Sequence, residues 1–205
     1  MELVIHRGSN ELESENSLEG IAQCEKLLPA CPIELDVAAN IDGEAFVIHD
    51  LNLKRLCGLD ACIYQLGTRE LPKLLNGHNI PTLKEILDLF PEKKFLFDLR
   101  DDFHQSLFPE GCSKNHQTKP NIKKLLVYGL QKALWKRDPT NYRLMVATTK
   151  MHSLCSELFP KIPVDFSERS THIFFDNKET DLRRWPLKPA EKRIYVRTEH
   201  SSNDF

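Results

Sequence analysis

No stretch of this 205-residue chain approaches the roughly 20 consecutive apolar residues that span a bilayer. The N-terminus lacks the basic region and apolar core of an export signal, and Glu2-Leu3-Val4-Ile5 begins directly as a strand. The expectation is a cytoplasmic protein without stable membrane insertion. A net charge of -2 supplies no bulk attraction for polyanions, so nucleic acid is not an expected partner. The six cysteines (Cys24, Cys31, Cys57, Cys62, Cys112, Cys155) form no C-x-x-C pair, and no Cys/His pair has finger-like spacing for zinc. Without an export signal, free thiols are their expected state. The chain also has no internal repeat and no low-complexity tract.

What is present is an alternation of strand and helix signals, the mark of parallel α/β architecture. With 40% apolar content the chain can bury one good core, so a single domain over 1–205 is expected. Asn16 or Ser17 can cap a helix carrying Leu18, Ile21, Ala22, Leu27 and Leu28, stopped by Pro29. Strand two covers 32–38, and Asp42-Gly43 turns the chain into the apolar run 45–48. Residues 51–80 carry Gly58, Gly67, Pro72 and Gly77 and read as irregular. Thr82 and Glu85 form a capping box for a helix through Leu89, and 94–99 is the next strand. The polar stretch 101–120 reads as a loop insertion, and substrate specificity is expected to lie there and in 51–80. Asn121 caps a long helix to about Lys136, whose Lys123, Lys124 and Lys132 form a wet face. Strands are then expected at 142–148, 162–166, 171–175 and 194–198, with a helix at 151–159.

The chemistry gathers in the first fifty residues. Side chains alternate along a strand, so Glu34 and Asp36 in Ile33-Glu34-Leu35-Asp36-Val37 point the same way. Two carboxylates held that close repel and resist burial unless a cation sits between them. A metal site is the economical reading of the pair. His6 and His49 end two neighbouring apolar runs, which suggests proton transfer beside that metal. Asp50 follows His49; adjacent strand residues face opposite ways, which reads it as second to the site or turn-forming.

His6-Arg7-Gly8, Glu15-Asn16-Ser17, Glu34-Leu35-Asp36 and Asp42-Gly43-Glu44 leading to His49-Asp50 together resemble, in order and spacing, the glycerophosphodiester phosphodiesterase family. Ile80-Pro81-Thr82-Leu83 resembles the signature that precedes that family's third barrel strand. Asp98 and Arg100 stand where the family carries a metal-binding Glu and, two residues on, a Lys. The resemblance is specific over 2–100 and architectural beyond.

The resemblance implies a (β/α)8 TIM-barrel-like fold and hydrolysis of a small glycerophosphodiester-like molecule to an alcohol and a phosphomonoester. It implies a divalent cation, Mg²⁺ or Ca²⁺, on Glu34, Asp36 and Asp98, with His6 and His49 as the acid/base pair. Arg7 and Arg100 would bind the phosphate oxygens, and Glu15 would act within the site or belong to a solvated acidic loop. Asp98 and Arg100 could instead form a structural ion pair. A non-catalytic phosphodiester-binding module and a phospholipase D-like lyase are the competing readings. In that family the run 45–48 is an excursion from strand two, which leaves seven barrel-strand candidates where closure needs eight. The barrel is therefore expected to be incomplete or open, with its seam between the first and last strands.

Overall fold

A computed structural model describes residues 3–8, 15–71, 79–101, 121–166, 173–175 and 194–196. Most of the expected loop 101–120 and the tail 199–205 lie outside the described residues. So do His104, His116, His172 and His200.

β1 (Leu3–His6) lies between β2 (Ile33–Ala39) and β8 (Ile194–Val196) and is parallel to both. From β2 the sheet continues through β4 (Phe95–Leu99) and β5 (Tyr142–Val146) to β6 (Val164–Phe166), all parallel. On the other flank, β8 pairs with β7 (Ile173–Phe175), also parallel. The order is thus β6-β5-β4-β2-β1-β8-β7, with β3 (Ala45–Val47) antiparallel on the end of β2. Among the described residues seven strands make the barrel path and β3 is an excursion, as the pattern suggested.

The opening is elsewhere than expected. The last strand closes against the first, with Leu3 opposite Ile194 and Ile5 opposite Val196. Among the described residues no ladder joins β6 to β7, so the seam lies between those two strands and not beside β1. Where the opening falls depends on a pairing between residues about 190 apart, which local pattern does not carry.

Alternation along the strands sorts them into two faces. Ile33, Leu35 and Val37 of β2, with Phe95, Phe97 and Leu99 of β4, pack outward against the helices in the main core. That core takes Ile21 from α1 (Leu18–Leu27), and Leu83, Ile86 and Leu87 from α3 (Leu83–Leu89). It also takes Leu126 and Leu130 from α4 (Ile122–Ala133), and Met151 and Cys155 from α5 (Thr149–Leu158). Burying side chains of this kind contributes about 1.5–3 kcal/mol each. The opposite face holds a small apolar floor of Val4, Leu96 and Met145. The polar site stands on that face, on Glu34, Asp36 and Asp98.

Local signals fix the helix starts. The Ser17 hydroxyl accepts from the Gly20 amide at 3.0 Å, Thr82 and Glu85 complete their capping box, and Asn121 accepts from the Lys124 amide. α4 stops at Ala133, three residues earlier than expected, and Lys136 beyond it takes a left-handed backbone with φ 61°. Lys123 does not belong to the wet face: its ammonium lies 3.7 Å from the buried Asp101 carboxylate. Residues 51–71 are more ordered than their glycines suggest. They hold α2 (Lys54–Cys57), ended by Gly58 in the left-handed conformation, and a 3-10 turn at Ile63–Gln65. The cysteine expectation also needs one correction. Cys24, Cys31, Cys57 and Cys155 are free thiols, but Cys62 is disulfide-bonded, to a partner outside the described residues.

Candidate active site

β1 ends at His6, and the chain then turns through two consecutive left-handed residues, Arg7 at φ 56° and Gly8 at φ 66°. Only glycine fits the second position. A Cβ there would stand 2.9 Å from Ile21 Cγ1, where α1 packs against the turn. The turn aims the Arg7 amide at Glu34, donating to Oε2 at 3.0 Å. It places the Arg7 guanidinium between Glu15 Oε2 at 2.9 Å and Asp36 Oδ2 at 3.1 Å. His6 Nε2 stands 3.8 Å from Glu34 Oε2.

The three acids come together through one register. β2 and β4 pair so that Asp36 lies directly opposite Asp98, with Glu34 one alternation below on the same face. An oxygen from each of Glu34, Asp36 and Asp98 lies within 4.8 Å of the others. Glu34 and Asp36 are only 2% exposed. Burial pushes the Glu34 carboxyl well above the usual carboxylate range, and the neighbouring Asp36 and Asp98 charges push the same way. Burial would raise Asp36 too, but Arg7, His49 and Arg100 outweigh it and hold that carboxyl below its ordinary value. The Asn16 amide adds to this by donating to Asp36 Oδ2 at 3.0 Å. Arg7 and Arg100 supply two of the positive charges that three converging carboxylates call for. A set of hard oxygens with one member held toward protonation fits a divalent cation.

Arg100 follows β4 and is itself buried. Its Nη1 lies 3.3 Å from Asp98 Oδ2 and 3.8 Å from Asp36 Oδ1. The ion pair of Asp98 with Arg100 and the gathering of Asp98 with the other acids therefore coexist. Arg100 Nη2 reaches His49 Nε2 at 3.2 Å. A guanidinium only donates, so this contact assigns the acceptor lone pair of His49 to Nε2 and its proton to Nδ1. Nδ1 is in turn 2.5 Å from Asp50 Oδ1.

That last contact departs from the alternation argument. β3 ends at Val47, so His49 and Asp50 stand on irregular chain where neighbours can meet. Asp50 Oδ2 is held by Arg55 Nε, and Arg55 Nη2 reaches Glu15 Oε1 at 2.5 Å. Burial would raise the Asp50 carboxyl, yet His49 and Arg55 together hold it far below its ordinary value. Glu15 thus bridges Arg7 and Arg55, and is no member of a solvated run. The structure brings together all eight of His6, Arg7, Glu15, Glu34, Asp36, His49, Asp98 and Arg100. Arg55 joins the site without any motif signal of its own; its partners lie 5 and 40 residues away.

Comparison with known proteins places this arrangement. The pattern of the Glycerophosphoryl diester phosphodiesterase family matches residues 6–169. A glycerophosphodiester phosphodiesterase of Caldanaerobacter subterraneus subsp. tengcongensis is 24% identical over 216 residues, covering 89% of this chain and 88% of that protein. The human lysophospholipase D GDPD1 is 29% identical over 112 residues, covering 47% of this chain and 35% of that protein. Among solved structures, an Oleispira antarctica phosphodiesterase in complex with the product sn-glycerol-3-phosphate superposes with a TM-score of 0.61 at 18% identity. It covers 85% of this chain, which spans 66% of that protein. A glycerophosphodiester phosphodiesterase from Thermotoga maritima gives 0.57 at 23% identity, covering 86% and 62% respectively. The solved structures share the fold with this chain, and the chain spans about two thirds of their length.

Proposed function

This chain belongs to the glycerophosphoryl diester phosphodiesterase family, and on that premise we propose that it is a metal-dependent phosphodiester hydrolase. Its substrate is a small glycerophosphodiester-like molecule, cleaved to an alcohol and a phosphomonoester. The observation that carries the proposal is the convergence of Glu34, Asp36 and Asp98 beside two histidines and two arginines. Mg²⁺ or Ca²⁺ suits three hard oxygens, and such a cation would neutralise the phosphoryl oxygens.

The chain's own groups supply the rest. Arg7 and Arg100 are placed to bind phosphate oxygens. His49 presents an unprotonated Nε2 and is suited to take the proton of the attacking hydroxyl. His6, on the side of Glu34, is suited to return a proton to the leaving oxygen. Glu15 holds Arg7 in place from behind. A cytoplasmic setting belongs to the same proposal. Four free thiols support it, and the Cys62 disulfide stands against it. Among the described residues no helix is long and apolar enough to cross a membrane.

A second reading, a phosphodiester-binding module without turnover, draws on the Asp98–Arg100 ion pair. Incubating the purified protein with glycerophosphocholine and Mg²⁺, Ca²⁺ or Mn²⁺, with and without EDTA, separates the two. Release of choline or glycerol phosphate that EDTA abolishes is the expected result. His6→Ala and His49→Ala should each lower turnover by about 10²–10⁴-fold with the fold intact by circular dichroism. Near wild-type activity in either variant removes that residue from the mechanism. Metal binding by calorimetry without hydrolysis of any phosphodiester favours the binding module.

A further inference from the structure

We propose that Arg55 is a positioning residue for His49, clamping Asp50 so that the Nδ1 side of the imidazole is held in plane while Arg100 keeps the lone pair on Nε2. The proposal deepens the hydrolase reading given above and rests on it.

The clamp is a continuous chain of charge-assisted contacts. His49 Nδ1 meets Asp50 Oδ1 at 2.5 Å, and Asp50 Oδ2 receives Arg55 Nε. Arg55 Nη2 donates to Glu15 Oε1 at 2.5 Å, Glu15 Oε2 receives Arg7 Nη1 at 2.9 Å, and Arg7 Nε stands 3.1 Å from Asp36. Two guanidiniums, Arg55 and Arg7, bridged by Glu15, therefore join the proton-transfer imidazole to the carboxylate cluster. A carboxylate bound to a single histidine can rotate away from it. Bound on its second oxygen as well, it is fixed in plane, and the imidazole is fixed with it.

The segment that presents Arg55 is itself tied down. Asn52 is buried, its Oδ1 accepts the Lys54 amide at 2.8 Å, and its amide nitrogen donates to Asp60 at 3.1 Å. Asn52 also bridges to Cys62, the disulfide-bonded cysteine, and Leu53 beside it is fully buried among Leu51, Ile63 and Leu71. Arg55 thus emerges from a fixed base, and its side chain is 35% exposed at the rim of the site. The stretch expected to be a specificity loop is, over 51–63, a brace for the general acid/base machinery.

Lysine cannot reproduce the brace, because a single ammonium lacks the fork that reaches two carboxylates in one plane. The test uses ¹⁵N-labelled full-length protein without substrate, with the His49 signals assigned by their loss in His49→Gln. Wild type should show a protonated Nδ1 and a bare Nε2. Arg55→Met should lose the low-field Nδ1 proton signal, as Asp50 is released to move off the ring, while Nε2 stays bare under Arg100, and Arg55→Lys should fall between. Turnover of glycerophosphocholine should drop about 10–100-fold in Arg55→Met with KM little changed. A wild-type low-field Nδ1 proton signal in Arg55→Met overturns the proposal whatever the activity. If Arg55→Met does not fold, a wild-type Nδ1 proton signal in Arg55→Lys overturns it equally. Should wild type hydrolyse nothing, the hydrolase reading fails while the Nδ1 proton readout still decides the role of Arg55.

Discussion

Glu34 is where the site's chemistry and the protein's stability oppose each other. Its carboxyl is buried and pushed upward by burial and by two neighbouring acids. An acid whose folded pKa is raised favours the fold while protonated. Its contribution therefore falls as pH rises from the unfolded value, about 4.3, through the raised folded value. Glu34→Gln removes that loss and keeps an oxygen to accept from the Arg7 amide. In EDTA at neutral pH the variant should melt above wild type, and the gap should close as pH is lowered toward about 4. Added Mg²⁺ or Ca²⁺ should raise the wild-type melting temperature and not the variant's. A variant that melts below wild type in EDTA would show that the buried carboxylate is already compensated. Glu34 and Asp36 were legible because two acids at i and i+2 in an apolar strand share one face, where burial demands positive charge between them. Arg55 was not, because nothing in its neighbourhood distinguishes a clamping arginine from a solvated one.

At the scale of elements, the packing of α4 on the β2–β3 hairpin depends on one missing side chain. A Cβ at Gly129 would lie 2.9 Å from the Gly43 carbonyl oxygen and 3.0 Å from the Ala45 amide, and backbone cannot swing aside. Gly129→Ala should therefore cost about 1–3 kcal/mol despite alanine's better helix propensity, read as a lower urea midpoint at unchanged m-value. A midpoint at or above wild type would mean that the helix can slide on the hairpin. The elements were largely legible where a cap or a strong period announced them, as at Ser17, Thr82 and Asn121. They were not legible where an element is too short to show a period. Lys54–Cys57 is a single turn of helix, and its order comes from Asn52 and from buried Leu53. α4 ends short of the expected Lys136, although Leu134 and Trp135 continue its apolar character past the last helical residue.

For the molecule as a whole, the βα rhythm was enough to place this chain among (β/α) barrels and to suggest an incomplete or open one. The position of the gap was hidden because it depends on β8 returning to β1. The ladder between β2 and β4 has a further consequence, for the course of folding. Its register runs from Ile33 opposite Phe95 to Val37 opposite Leu99. One face of that pairing buries the centre of the main core, and the other crowds Glu34, Asp36 and Asp98. A chain that forms its core by joining these strands must bring like charges together in the same step. The repulsion then belongs to the folding barrier as well as to the native state. Stopped-flow refolding in EDTA should accordingly be faster in Glu34→Gln than in wild type, with the stability gain shared between both limbs of the chevron. A gain confined to the unfolding limb would mean that the acids meet only after the barrier. If the refolding rate does rise, a cation bound by these acids would act on the growing chain as well as on the substrate, quickening the closure of the strands that carry them.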